Sequence, residues 1–70
     1  MFMKVQWQQG IPHYTMYSID KYTVTYTKDV SPSSAVIHID GNYPCELLLD
    51  RGGEAFVMNE AGKTIDVIRP

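Results

Sequence analysis

The side chains that could act as acids, bases or nucleophiles in this chain form no catalytic motif, although eight of them are carboxylates. They include two histidines, His13 and His38, and a single cysteine, Cys45. A catalytic site brings a nucleophile, a base and an orienting group within hydrogen-bonding distance of one another. His38 stands between two isoleucines on a predicted strand, which is typical of a half-exposed strand residue. Cys45 shares a predicted strand face with Leu47 and Leu49, which is typical of a small core residue. We therefore predict no catalytic residues and expect a protein that is not an enzyme.

No motif for a metal, a phosphate or a cofactor accompanies these residues. A structural zinc ion takes four ligands, largely cysteine and histidine, and the chain offers only three such side chains. The serines in residues 31–34 lack the Gly-X-Ser-X-Gly elbow of serine hydrolases. Residues 50–53, Asp-Arg-Gly-Gly, are too few for a phosphate-binding glycine loop and predict a turn. We expect a chain that works without a cofactor or a metal.

Tyrosine and tryptophan side chains point instead to binding. One end of each ring is apolar and the other forms hydrogen bonds, and binding energy at interfaces concentrates on such residues. Some of these rings must fill the core, because the chain has only two phenylalanines. We assign Tyr22 and Tyr26 to the core face of their strand, since the alternating threonines of residues 23–27 make a natural solvent face. The predicted binding surface comprises the remaining rings and the strand histidine: Trp7, Tyr14, Tyr17, His38 and Tyr43.

Alternating apolar and polar residues predict the elements that position these side chains. Residues 21–28, Lys-Tyr-Thr-Val-Thr-Tyr-Thr-Lys, give the strongest signal, because every interior residue is β-branched or aromatic. About seven short extended segments follow one another along the chain. The first of them, residues 2–8, is expected to lie at a sheet edge. The predicted fold class is all-β: one domain over residues 1–70, with a small antiparallel sheet or open barrel of roughly 5–7 short strands.

Turn-forming residues separate these segments. Residues 18–21 predict a turn into the threonine-rich strand. Asp40 and Gly41 predict a tight hairpin, because both can adopt a positive φ. Residues 59–63 predict a type I turn closed by a left-handed Gly62.

Two other regions decide how much of the chain is strand. Residues 29–34 predict a surface loop. A single short helix, either in 44–51 or in 54–61, is the alternative to a chain made only of strands. Pro44 suits the first turn of a helix, and a glycine follows each segment.

Size and charge limit the class of partner. A domain of 70 residues with one cysteine forms no internal disulfide, so we expect an economical core, self-association or docking onto another protein. The net charge of −2 lacks the basic footprint of nucleic-acid binding and does not favour an anionic membrane. Residues 1–9 lack the apolar run of a signal peptide, and no stretch approaches the roughly 18 apolar residues of a membrane span. We expect a cytoplasmic protein whose partner is another protein or itself, with nucleic acid less favoured and no membrane.

Three functions fit these observations. The first is a small non-enzymatic protein-binding module, which explains the size, the near-neutral charge and the spare tyrosines. The second is a small β-barrel that binds single-stranded nucleic acid by stacking bases on tyrosines. The third is a structural or assembly subunit of an oligomer.

A resemblance sharpens the first of these functions. It depends on aromatic and turn residues scattered between residues 7 and 41: Trp7, Pro12, Tyr14, Thr15, Tyr22, Thr23, Val24, Asp40 and Gly41. This pattern resembles the opening of short phage and prophage accessory proteins. The resemblance implies a small β-sheet protein, of a group in which some members inhibit host or defence enzymes by direct binding. Such chains often end in an alanine-rich helix, whereas this one ends in a predicted hairpin, and no functional residue is carried over.

Overall fold

A computed structural model describes residues 1–27 and 33–70, and there the chain forms six β-strands in one antiparallel sheet. The strands are β1 (Phe2–Gln6), β2 (Tyr14–Thr27), β3 (Ser34–Gly41), β4 (Cys45–Asp50), β5 (Glu54–Met58) and β6 (Thr64–Ile68). They lie in the order β4-β3-β2-β1-β5-β6. The predicted all-β fold class is confirmed. These two ranges contain no helix that is long and apolar enough to cross a membrane.

β2 is the longest strand and belongs to two halves of the sheet. Its residues 14–18 pair with β1, and its residues from Ile19 onward pair with β3. The register with β3 shifts between Ile19 and Lys21, where a bulge bends the strand. We call β6, β5, β1 and the first part of β2 the terminal half-sheet, and the second part of β2 with β3 and β4 the central half-sheet. The turn predicted for residues 18–21 is wrong, because Asp20 lies at a bulge within a continuous strand.

The two half-sheets enclose one apolar core. In most strands alternate residues point inward, as the two-residue period of a strand requires. The phenol of Tyr22 in β2 donates a 2.6 Å hydrogen bond to the carboxylate of Asp66 in β6, so β6 lies against the second part of β2. In the part of the chain that the structure describes, eleven buried apolar residues form the core: Met3, Val5, Ile19, Ala35, Ile37, Ile39, Leu47, Leu49, Ala55, Val57 and Ile68.

Gly41 lets β3 pass close to the bend of β2. A Cβ atom at this position would lie 2.7 Å from the carbonyl oxygen of Ser18 and 3.1 Å from the Cα of Ile19. Both are backbone atoms, so a larger residue would push the two strands apart. This close approach replaces the tight hairpin predicted at Asp40 and Gly41. β3 continues through Gly41, and the chain turns towards β4 at residues 42–44.

The hairpin between β5 and β6 has the turn that the sequence predicts. Gly62 has a φ of 81°, and its N–H donates to the carbonyl oxygen of Asn59 at 2.9 Å. Oδ1 of Asn59 also accepts hydrogen bonds from the N–H groups of Ala61 and Lys63, both at 3.0 Å. A side chain with a Cβ is strained at this φ, which explains the glycine.

The structure corrects two further predictions, the edge position of the first strand and the short helix in 44–51 or 54–61. β1 lies between β2 and β5 in the middle of the sheet, so the edge strands are β4 and β6. The placement of an N-terminal strand depends on long-range pairing, which alternation along one segment does not encode. The helix considered for 44–51 or 54–61 is wrong, because both segments form strands whose alternate residues reach the core.

The loop predicted over residues 29–34 lies mostly outside the described residues, because the structure describes only residues 33 and 34 of it.

Candidate binding surface

The two half-sheets differ in the face that each turns away from the core. On the central half-sheet this outward face carries exposed threonines of β2, His38 of β3 and acidic residues of β4, with Val36 and the 58% exposed Leu48 among them. Nδ1 of His38 lies 3.6 Å from Oε1 of Glu46, and Nζ of Lys21 lies 3.8 Å from Oδ2 of Asp40. We call this face the polar outer face. Its composition is typical of a sheet surface in contact with water.

The outward face of the terminal half-sheet carries a group of apolar side chains bordered by polar ones. Met3 and Val5 of β1 point into the core, so Phe2 and Lys4 point outward. Residues directly opposite one another in antiparallel strands share a face. The register therefore sets two rows across the same four strands, one through Lys4 and one through Phe2. The second row ends in Ser18 and Thr64, and Gln6 lies between Tyr14 and Glu54 in the row beyond Lys4. We define the apolar outer face by Lys4 and the apolar and aromatic side chains of these rows, with the polar residues at its border: Phe2, Lys4, Tyr14, Met16, Phe56, Met58 and Val67.

This apolar outer face is accessible to a partner. Met16 is 53% exposed and Tyr14 is 51% exposed, and the other members are partly buried. The opposite side of the half-sheet is covered by the core, and no described strand lies over this side. Methionine and aromatic residues are enriched at protein interfaces, and charged residues are depleted at their centres. Side chains of these types are grouped on this side of the half-sheet.

Lys4 is the charged residue at the centre of the apolar outer face. It is partly buried and lies directly opposite Met16 on one neighbouring strand and Phe56 on the other. Its Nζ lies 4.0 Å from the centroid of the Tyr14 ring, a distance at which a cation and a ring attract each other. Within the described residues Lys4 forms no ion pair. The ammonium group is thus held by an aromatic ring and not by a carboxylate.

Trp7 and Tyr14, two of the residues predicted to bind, lie at the same end of the terminal half-sheet. Tyr14 belongs to the apolar outer face. Trp7 follows β1 and is 36% exposed. Its indole N–H donates a 3.0 Å hydrogen bond to Oγ1 of Thr15, which fixes the ring against β2.

Tyr17 and Tyr43 meet at the bend between the half-sheets. Tyr17 lies opposite Met3 and packs against the core, whereas Tyr43 is 83% exposed. Both line a cavity of about 240 Å³, together with Ile39 and Asn42 among others. Burial, and to a smaller extent the neighbouring Cys45, raises the pKa of Tyr17 above its ordinary value.

His38 stands apart from the other four predicted residues. It lies on the polar outer face, opposite Thr23 and Glu46, beside a depression of about 220 Å³. The structure therefore separates the predicted binding residues into three places. Within the described residues, no group of three or more histidine, cysteine or acidic side chains is arranged to hold a metal ion.

The two tyrosines assigned to the core differ from each other. Tyr22 is partly buried and packs against the core, and its hydrogen bond to Asp66, followed by burial, raises its pKa to about 12. Tyr26 lies on the same strand face, directly opposite the buried Ala35, so the core face predicted for both tyrosines is confirmed, but its ring remains 45% exposed. Its position one residue from the end of β2 leaves little of the opposite half-sheet to cover it.

Most of the apolar outer face is missing from the residues predicted to bind. The segment Ala-Phe-Val-Met of β5 offered a signal, because its uninterrupted apolar run gives both faces of a strand apolar side chains. Ala55 and Val57 are buried, which leaves Phe56 and Met58 on the outside. Met16 gave no such signal, because its partners are set by register alone.

Compared with protein-family models, with curated proteins and with solved structures, the chain finds no match. Its function is therefore inferred from its own geometry and chemistry.

Proposed function

We propose that this chain is a non-enzymatic protein-binding module that docks its partner on the apolar outer face. The observation that carries the proposal is the contrast between the two outward faces of one sheet. The polar outer face is rich in threonine and ionisable side chains and has one exposed leucine, Leu48, whereas the apolar outer face presents aromatic and methionine side chains around Lys4. Contiguous groups of such side chains on a surface are typical of docking sites.

Burial of this face supplies a driving force for association. Fully burying a methionine or phenylalanine side chain contributes roughly 1.5–3 kcal/mol relative to leaving it in water. Met16 and Tyr14 are about half exposed, so each has roughly half of its contact area left to bury. Side chains of this type at the centre of an interface commonly dominate its binding energy.

The charge distribution favours a protein over a nucleic acid as the partner. A protein that stacks bases on a sheet could use rings like those of this face. Such proteins also carry several basic side chains that contact the phosphates. Lys4 is the one cation of the apolar outer face. Arg69, beside it, already pairs with Glu54, with Nε and Oε1 3.4 Å apart. The whole chain carries a net charge of −2.

The sharper form of the proposal is inhibition of a larger host or defence protein through occupation of its surface. The proposed site of action is the cytoplasm, where thiols stay reduced and the single cysteine, Cys45, remains free. In this form the chain alters the activity of its partner by covering it and performs no reaction of its own.

A matched pair of variants on β2 tests the proposal. Met16→Glu places a charge on the apolar outer face, whereas Thr25→Glu places the same charge on the polar outer face. Each protein is immobilised and incubated with cell lysate. We expect a partner that is retained by the original chain and by Thr25→Glu and is lost with Met16→Glu. Retention of the same partner by all three proteins, or by none, would contradict the proposal. Circular dichroism confirms that each variant is folded.

A further inference from the structure

We infer that the apolar outer face receives an amphipathic helix of its partner, and that this helix places a carboxylate against Lys4. This inference rests on the proposed function and names the chemistry of the partner. It starts from the position of Lys4 between Met16 and Phe56, with its ammonium group over the ring of Tyr14.

The carboxylate follows from the desolvation of Lys4. A partner that covers Met16 and Phe56 also removes water from the ammonium group between them. A buried charge is costly unless it is paired and hydrogen-bonded, and a tyrosine ring compensates only part of that cost. The described residues supply no carboxylate for Lys4. The partner must therefore bring one.

The same charge argues against a second copy of this chain as the occupant. Around a two-fold axis near the centre of the face, Lys4 of one copy would approach Lys4 of the other. The carboxylate at the border of the face, Glu54, is already paired with Arg69, with Oε1 and Nε 3.4 Å apart. A face-to-face homodimer would thus bury two ammonium groups without a free acceptor.

The dimensions of the face favour a helix. Four strands of five residues cover about 17 Å along the strands and about 14 Å across them. A helix of three turns is about 16 Å long and about 10 Å wide, so it fits this area. A whole domain needs roughly 800 Å² per partner for a stable contact, which exceeds what such a face provides. An extended segment would instead pair with a sheet edge, where backbone groups are free.

The experiment is a selection from a displayed library of random 16-residue peptides on the immobilised chain. Peptides that also bind Met16→Glu are removed, so that only those directed to the apolar outer face remain. We expect enriched peptides with apolar residues at i, i+3, i+4 and i+7 and with one aspartate or glutamate. Replacing that residue of the peptide by its amide should weaken binding to the original chain by about tenfold.

Two variants of Lys4 sharpen the result. On Lys4→Met the amide and acid forms of a peptide should bind equally, and selection on Lys4→Glu should enrich lysine or arginine instead. Enrichment of peptides without an acidic residue, of alternating or proline-rich sequences, or of no peptide at all would overturn the inference. So would dimerisation of the original chain that Met16→Glu abolishes. A lysate partner lost with Met16→Glu but held equally by Lys4→Glu would overturn this inference and leave the proposed function standing.

Discussion

The phenol of Tyr22 donates a 2.6 Å hydrogen bond to Oδ2 of Asp66, across 44 residues of sequence. This bond joins the second part of β2 to the edge strand β6, so it closes one half-sheet over the other. Removing only the phenol oxygen tests this arrangement of the two half-sheets and leaves the ring of Tyr22 in place against the core.

Removal of this hydrogen bond should lower stability measurably. For Tyr22→Phe we expect a loss of at most about 1 kcal/mol in the free energy of unfolding, because the exposed carboxylate regains water. In a chain of this size that corresponds to a decrease of up to about 4–8 °C in Tm, measured by thermal denaturation. Tyr26→Phe is the matched control, since Tyr26 is 45% exposed and its hydroxyl forms no hydrogen bond within the described residues. Equal effects of the two variants would contradict the assigned contact.

The same pair predicts a loss of stability at alkaline pH. The pKa of Tyr22 is about 12 in the folded chain, because the neutral phenol donates to Asp66, against 10.0 for a tyrosine in the unfolded chain. The folded state therefore holds this proton more tightly than the unfolded state does. Its contribution is fully present below pH 10 and is lost as pH rises from about 10 to about 12.

Denaturation with urea across this pH range measures the effect. The free energy of unfolding of the original chain should fall more steeply above pH 10 than that of Tyr22→Phe. Ultraviolet titration should show one tyrosine ionising near pH 12 that is missing in Tyr22→Phe. Parallel pH profiles of the two proteins would show that the phenol does not hold its proton in this way.

Gly41→Ala tests the close approach of β3 to the bend. The new Cβ would stand 2.7 Å from the carbonyl oxygen of Ser18, a backbone atom that cannot rotate away. We expect a loss of about 1–3 kcal/mol in the free energy of unfolding, typical of overpacking. Asn42→Ala, at the next residue in the chain and exposed, should change it by less than about 0.5 kcal/mol. If the Gly41→Ala variant were as stable as the Asn42→Ala variant, the two strands would have to lie farther apart.

The alternation of β3 could be predicted from the sequence because one set of residues is strongly apolar. Ala35, Ile37 and Ile39 are all buried, as a strand with one face on the core requires. The turn at Gly62 was also predictable, because a glycine after Asn59 and Ala61 readily adopts the positive φ that closes such a turn. Local chemistry decides both features.

The apolar outer face could not be predicted from alternation, because β5 is apolar on both sides. Phe56 and Val57 are equally suited to a core, and only pairing with β1 and β6 determines which of them faces inward. The continuity of β2 escaped prediction for a related reason. A polar residue such as Asp20 is common both in turns and at bulges, and the distinction depends on the partner strands.

The core of the central half-sheet gives a prediction about packing. Ile37 is fully buried, so Ile37→Ala should reduce the free energy of unfolding by about 2–5 kcal/mol. Leu48 lies in the neighbouring strand and is 58% exposed on the polar outer face, so Leu48→Ala should cost well under about 1 kcal/mol. Urea denaturation of both variants checks the difference. A larger cost for Leu48→Ala would place the core on the other side of this half-sheet.

The most direct test of the binding surface is a nuclear magnetic resonance titration of the isotope-labelled chain with the partner isolated from lysate. Docking on the apolar outer face predicts that the amide signals of Lys4, Met16 and Phe56 shift most. Those of Thr25 and His38, on the polar outer face, should stay in place. Shifts concentrated on the polar outer face, or along the edge strand β4, would contradict the proposed binding surface.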